Sequence, residues 1–169
     1  MDYPHIMLGG VPIVLEAGAP VSSEEPLGGA NIVRLSTGTG VPVTHWERMA
    51  GSISGQGFMP PGLEGLDYSL PLELRSRQVT SINGTGLTYA LHTPARPDVA
   101  PWALALVAGE WVSTPCSVVG QVVTVTPVAG AQLYSVCWFP LYTVIARRPA
   151  RGQDDGTASH SWTITWEQV

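Results

Sequence analysis

The chain has 169 residues, 44% hydrophobic and 12% charged, with a net charge of -5. That length holds one domain, or a domain with an extension, and the apolar content supports a real core, which excludes a disordered chain. The eight basic residues are all arginines, outnumbered by thirteen acidic ones and gathered in no basic stripe, which excludes a nucleic-acid partner held through its phosphates.

Nineteen Gly and fifteen Pro are more than a helical protein tolerates, and favour many short strands joined by turns. The expected fold class is mainly β: an antiparallel β-sandwich or barrel with long Gly/Pro loops and at most one short helix. The longest apolar runs, 102–108 and 118–125, are strand-sized, so no membrane span is expected. The opening "MDYPHIMLGG" is acidic at position 2 and has no basic n-region, so it does not read as a signal peptide.

In chain order, "EAGAPVSSEEPLGGA" (16–30) reads as loop, its X-Pro bonds pushing the preceding residue toward extended backbone. "THWERMAGSI" (44–53) is the one helix candidate. Thr44 and Glu47 have capping-box spacing, but Gly51 and Ser52 weaken it, and an extended reading is equally good. "FMPPGLEGLDYSLPLEL" (58–74) is a Gly/Pro loop feeding a strand with Leu70, Leu72 and Leu74 alternating. In "TSINGTGLTYALHT" the pair Asn83-Gly84 signals a hairpin turn.

"HTPARPDVAPW" (92–102) suggests a connector. The expected division is an N-terminal β-rich part, 1–92, a Pro-rich link, 93–101, and a C-terminal antiparallel part, 102–169. "LALVAGEWVST" (104–114) predicts a hairpin with Leu104 and Leu106 facing inward. "VVTVTPVAGAQLYSVCWF" (122–139) predicts another, Val123 and Val125 before the turn and Leu133, Ser135 and Cys137 after it. The last hairpin sets "LYTVIARR" against "HSWTITWEQV", with Trp162, Ile164 and Trp166 on one face and Thr163, Thr165 and Glu167 on the other. Its loop, "PARGQDDGTAS", reads as a solvated tip with Arg147, Arg148 and Arg151 balanced by Asp154 and Asp155.

Catalytic signals are weak. His5, His45, His92 and His160 share no metal spacing, and "GSISGQG" (51–57) centres on Ile53 where a nucleophile elbow needs Ser. Glu64 and Asp67 lie in a Gly-Pro loop, where Asp more often bonds its own backbone than works as an acid or base. "QDDGTAS" (153–159) lacks the alternating ligands of a calcium loop. Cys116 and Cys137 read as two reduced cysteines. No catalytic residue, cofactor or metal site is expected. Of the six tryptophans, Trp138, Trp162 and Trp166 read as buried, while Trp46, Trp102 and Trp111 lie nearer turns.

At "SISGQGFMPPGLEGLDYSLPLELR" (52–75), with "GGVPIVLEAG" (9–18) and the terminal "WFPLYTVIARRP…SHSWTITWEQV", the chain resembles small tail proteins of long-tailed bacteriophages, of the tail tip or baseplate. The resemblance implies a non-enzymatic, β-rich virion protein, made in the host cytoplasm and assembled as a ring of its own copies against other tail proteins. It implies inter-subunit contacts in the loop and the last hairpin: Phe58, Pro60, Pro61, Leu63, Leu66, Asp67, Tyr68, Arg147, Arg148, Arg151, Asp154 and Asp155. At 169 residues the chain is short for both domains of a distal tail protein, so a terminator, neck or capsid-decoration role stays open. A carbohydrate-binding sandwich that stacks sugars on exposed tryptophans is the alternative from another class.

Overall fold

The computed structural model describes residues 3–169. In chain order the strands are β1 (Met7–Leu8), β2 (Val11–Pro12), β3 (Val21–Arg34), β4 (Gly40–Gly57), β5 (Leu72–Arg75), β6 (Thr80–Gly84), β7 (Thr88–Ala90) and β8 (Trp102–Val107). There follow β9 (Glu110–Thr114), β10 (Cys116–Val119), β11 (Val122–Val125), β12 (Ala131–Trp138), β13 (Leu141–Ala146), β14 (Ala150–Asp154) and β15 (Ser159–Gln168). A single 3-10 turn, Leu15–Ala17, is the only helical element among the described residues. The fold is mainly β and antiparallel, a sandwich with no closed barrel, as the composition predicts.

Two compact units divide the chain discontinuously. Unit 1 takes the chain up to Met7 and Leu74–Tyr142; unit 2 takes Leu8–Glu73 and Thr143–Val169. The 93–101 segment lies inside unit 1, where Ala95 bridges Pro140 and Arg96 is buried.

Unit 1 sets a three-stranded sheet, β10-β11-β7, with a four-stranded one, β6-β12-β8-β9. Tyr89, Leu91, Val123 and Val125 of the first pack with Ala103, Ala105, Tyr134, Val136 and Trp138 of the second. Three expectations need correcting here. Asn83-Gly84 is the end of β6 and not a hairpin turn, because β6 pairs with β12 while β7 pairs with β11. Likewise β11 and β12 do not pair with each other; the link between them crosses from one sheet to the other. The β8–β9 hairpin does form, on Ala108 and Gly109, both at positive φ. Its inward face, however, is Ala103 and Ala105 and not Leu104 and Leu106, since Tyr134 and Trp138 leave room there only for small side chains.

Arg96 is 2% exposed, and its charge is met on every side within unit 1. Its Nε and Nη2 donate to Asp98 at 2.8 and 2.7 Å, Nη1 to the Ser76 carbonyl at 3.0 Å, and Nη2 to the His5 carbonyl at 3.0 Å. These hydrogen bonds hold the Asp98 carboxyl below its ordinary range.

The larger sheet has the order β2-β1-β5-β13-β15-β4-β3, with β14 also paired to β15, and its strands β3, β4, β14 and β15 lie wholly in unit 2. The alternation of β15 works as its sequence predicts: Trp162, Ile164 and Trp166 are buried, and Thr163, Thr165 and Glu167 are exposed. Across the ladder stand Gly55, Ile53 and Gly51, so each indole lies over a glycine and the two isoleucines meet between them. The 44–53 segment is therefore strand throughout, because glycine at 51 and 55 makes room for large aromatic neighbours and gives a helix nothing.

The segment 16–30, expected as loop, supplies most of the first strand of a long hairpin. β3 pairs with β4 from Val21↔Ser54 out to Arg34↔Gly40, with a bulge after Gly28. Leu35 N–H bonds Thr39 O, and Gly38 at φ +83 closes the tip. Pro26 interrupts β3 without breaking its pairing. Its partner Met49 points its N–H toward β15, donating to Gln168 Oε1 at 3.0 Å, so the imino nitrogen of Pro26 faces the open outer edge.

Candidate functional site

The Gly/Pro loop begins as a rigid approach. Pro60 is exposed and Pro61 buried, Gly62 turns the chain at φ +73, and Leu63 is buried at 1% exposure. Asp67 closes the next turn, Oδ1 accepting from the Ser69 N–H at 3.0 Å and from Ser69 Oγ at 2.6 Å. Those bonds lower its pKa, and they fit a backbone-bonding Asp. Tyr68 Oη donates to the Leu63 carbonyl at 2.8 Å, so the loop is tied to itself across five residues.

The loop and the segment after β13 come together. Glu64 Oε2 accepts from Arg148 at 2.9 Å, and Glu64 Oε1 lies 3.2 Å from Arg151. The Arg148 guanidinium sits 5.7 Å from the centroid of the Tyr68 ring. Burial first, and Glu64 second, push the Tyr68 phenol above its ordinary pKa. The arginines thus answer Glu64, and the tip is not balanced only within itself. Part of that tip is the strand β14. Asp154 accepts from the Gly156 N–H at 2.8 Å, and Asp155 is exposed beside it.

Beside this cluster Pro60, Pro61, Arg151, Gln153 and His160 edge a shallow groove of about 410 Å³. Phe58 is 82% exposed, with Met59 and Leu70 also exposed. Of the twelve residues expected as contacts, Leu63 and Pro61 are buried, Pro61 at the edge of that groove, and Leu66 is half-buried. Phe58, Pro60, Asp67, Arg148, Arg151, Asp154 and Asp155 are exposed, with Tyr68 half-buried among them. Arg147 lines a second groove, described below.

A feature the sequence reading missed is the outer part of the β3–β4 hairpin. Residues 30–42 are all exposed, although Ile32, Val33, Leu35 and Val41 are apolar. From 29 to 43 the only charged side chain is Arg34. Trp46, 49% exposed, lies against Gly29 at the bulge, where a Cβ would come within 2.9 Å of the indole nitrogen. The signal was present in "NIVRLSTGTGVPV": apolar residues on both sides of a Gly-rich turn.

The second groove, about 640 Å³, lies at the root of that hairpin. Its floor includes Ser23, Ser52 and Thr165, which are cross-strand neighbours with short hydroxyl side chains, and Ser23 Oγ lies 2.9 Å from Ser52 Oγ. Glu25, Ala50 and Glu167 form the next row, and Glu24 and Arg147 complete the charges.

His45 is an exposed residue of β4, His160 lies at the smaller groove, and His5 and His92 belong to unit 1. Among the described residues no three or more His, Cys, Asp or Glu gather as metal ligands. Cys116 and Cys137 are free thiols, and burial raises the pKa of Cys116. Among the described residues no helix is long and apolar enough to cross a membrane. No protein-family model matches the chain, and no curated protein or solved structure matches it either.

Proposed function

We propose that the chain is a non-enzymatic structural protein of a tailed-phage virion, a ring-forming component of the tail tip or baseplate. The observation that carries the assembly part of this reading is the arm: a two-stranded ribbon, exposed on both faces at residues 30–42 and nearly free of charge. A ribbon of that kind is marginal alone in water and gains its stability by packing on something else. The phage assignment itself rests on the resemblance at 9–18, 52–75 and the final hairpin.

The test is negative-stain imaging and sedimentation of the purified protein over a wide concentration range, beside a variant with residues 30–42 replaced by a tight turn. Rings from the full chain and monomers from the shortened one are expected. A full chain that stays monomeric at every concentration overturns the reading. The sugar-binding alternative has one half-exposed indole in each unit, Trp46 and Trp111. It predicts a tryptophan fluorescence shift with polysaccharide.

A further inference from the structure

The arm and the larger groove are complementary, and we infer that the arm of one copy lies in the root groove of the next. This rests on the assembly reading above and names the site it would use.

A chain cannot place its own arm there. β3 and β4 stay paired from the groove residues, Ser23–Glu25 and Ala50–Ser52, through the bulge and out into the arm, so folding back would break the ladder. The occupant is therefore a second copy. Such a contact is head-to-tail, and repeated it closes a ring where the rotation allows.

Charge selects the match. The groove face carries Glu25 and Glu167 side by side across Ala50, whereas the arm from 29 to 43 carries only Arg34. The ladder puts Ala30, Ile32 and Arg34 on one face with Thr44, Pro42 and Gly40. That face offers an apolar strip with a guanidinium at its far end. The groove offers a floor of short side chains rimmed by carboxylates. One Arg34 nitrogen donates to Gly38 O at 3.1 Å, which leaves most of its five donor hydrogens for a carboxylate.

The experiment is sedimentation velocity on the full chain and on four variants: Arg34→Gln, Arg34→Glu, the pair Glu25→Arg with Glu167→Arg, and all three reversals together. Circular dichroism checks that each folds. Arg34→Glu and the groove pair should each raise the concentration for half-assembly about tenfold, Arg34→Gln less, and the triple reversal should restore it to within about threefold. Added salt should weaken the wild type and leave Arg34→Gln less affected. If the wild type assembles but Arg34→Glu is neutral, or the triple reversal restores nothing, the groove is not the acceptor, while the assembly reading survives. A wild type that never assembles overturns both.

Discussion

Trp162 stands directly across the ladder from Gly55, and its indole fills the space that a side chain at 55 would need. A Cβ there would come within 2.6 Å of the ring, while Trp162 Nε1 is fixed from the other side by the Ala17 carbonyl at 2.8 Å. Neither group can yield cheaply. Gly55→Ala should therefore cost about 1–3 kcal/mol, read as a lower urea midpoint with an unchanged slope. Ile53→Val, which removes only a methylene from the same row, should cost about 0.5–1.5 kcal/mol.

Arg96→Ala should destabilise by roughly 2–4 kcal/mol, because the Ser76 and His5 carbonyls lose their donor and Asp98 its main partner. The same pair gives a pH dependence. Asp98 has a folded pKa below its unfolded one, so its contribution is complete above the unfolded value, about 3.9, and fades as pH falls through the folded one. Asp98→Asn should be less stable than wild type at neutral pH and lose less on acidification. Thermal unfolding from pH 7 down to about 3 separates the two curves.

Glu64→Gln should change stability by less than about 1 kcal/mol, since both arginine partners are well exposed. It should nonetheless move Tyr68. Removing the carboxylate takes away one of the influences that raise the phenol, so Tyr68 should ionise at a lower pH, followed by ultraviolet absorbance.

Trypsin offers a direct look at the arm, since all basic residues are arginines. Arg34 and Arg48 lie in exposed strand, whereas Arg96 is buried. Cleavage after Arg34 should come early in dilute protein and, under the assembly proposed above, slow markedly in concentrated protein. Equal cutting at both concentrations would place the arm outside any interface.

Much of the fold was legible where one residue pattern admitted one geometry. The indoles of β15 alternate with threonines, and the strand follows at once. At 44–53 the sequence left helix and strand balanced, because the deciding fact is the pairing of Gly51 and Gly55 with two tryptophans more than a hundred residues away. Asn83-Gly84 failed as a turn for a related reason. The dipeptide favours a tight reversal locally, but β6 finds a better partner in β12. At the surface, the loop at 58–74 drew attention for its prolines and glycines, and it does meet Arg148 and Arg151 through Glu64. The arm escaped notice since Glu24, Glu25 and the prolines gave its first strand the look of a loop.

Pro26 sets a limit on growth. An outer strand of fourteen residues with an open row of hydrogen-bonding groups would invite another chain to extend the sheet, and then another. A nitrogen without hydrogen in the middle of that row leaves no continuous template. Sheet-on-sheet growth along that edge is thereby blocked at residue 26.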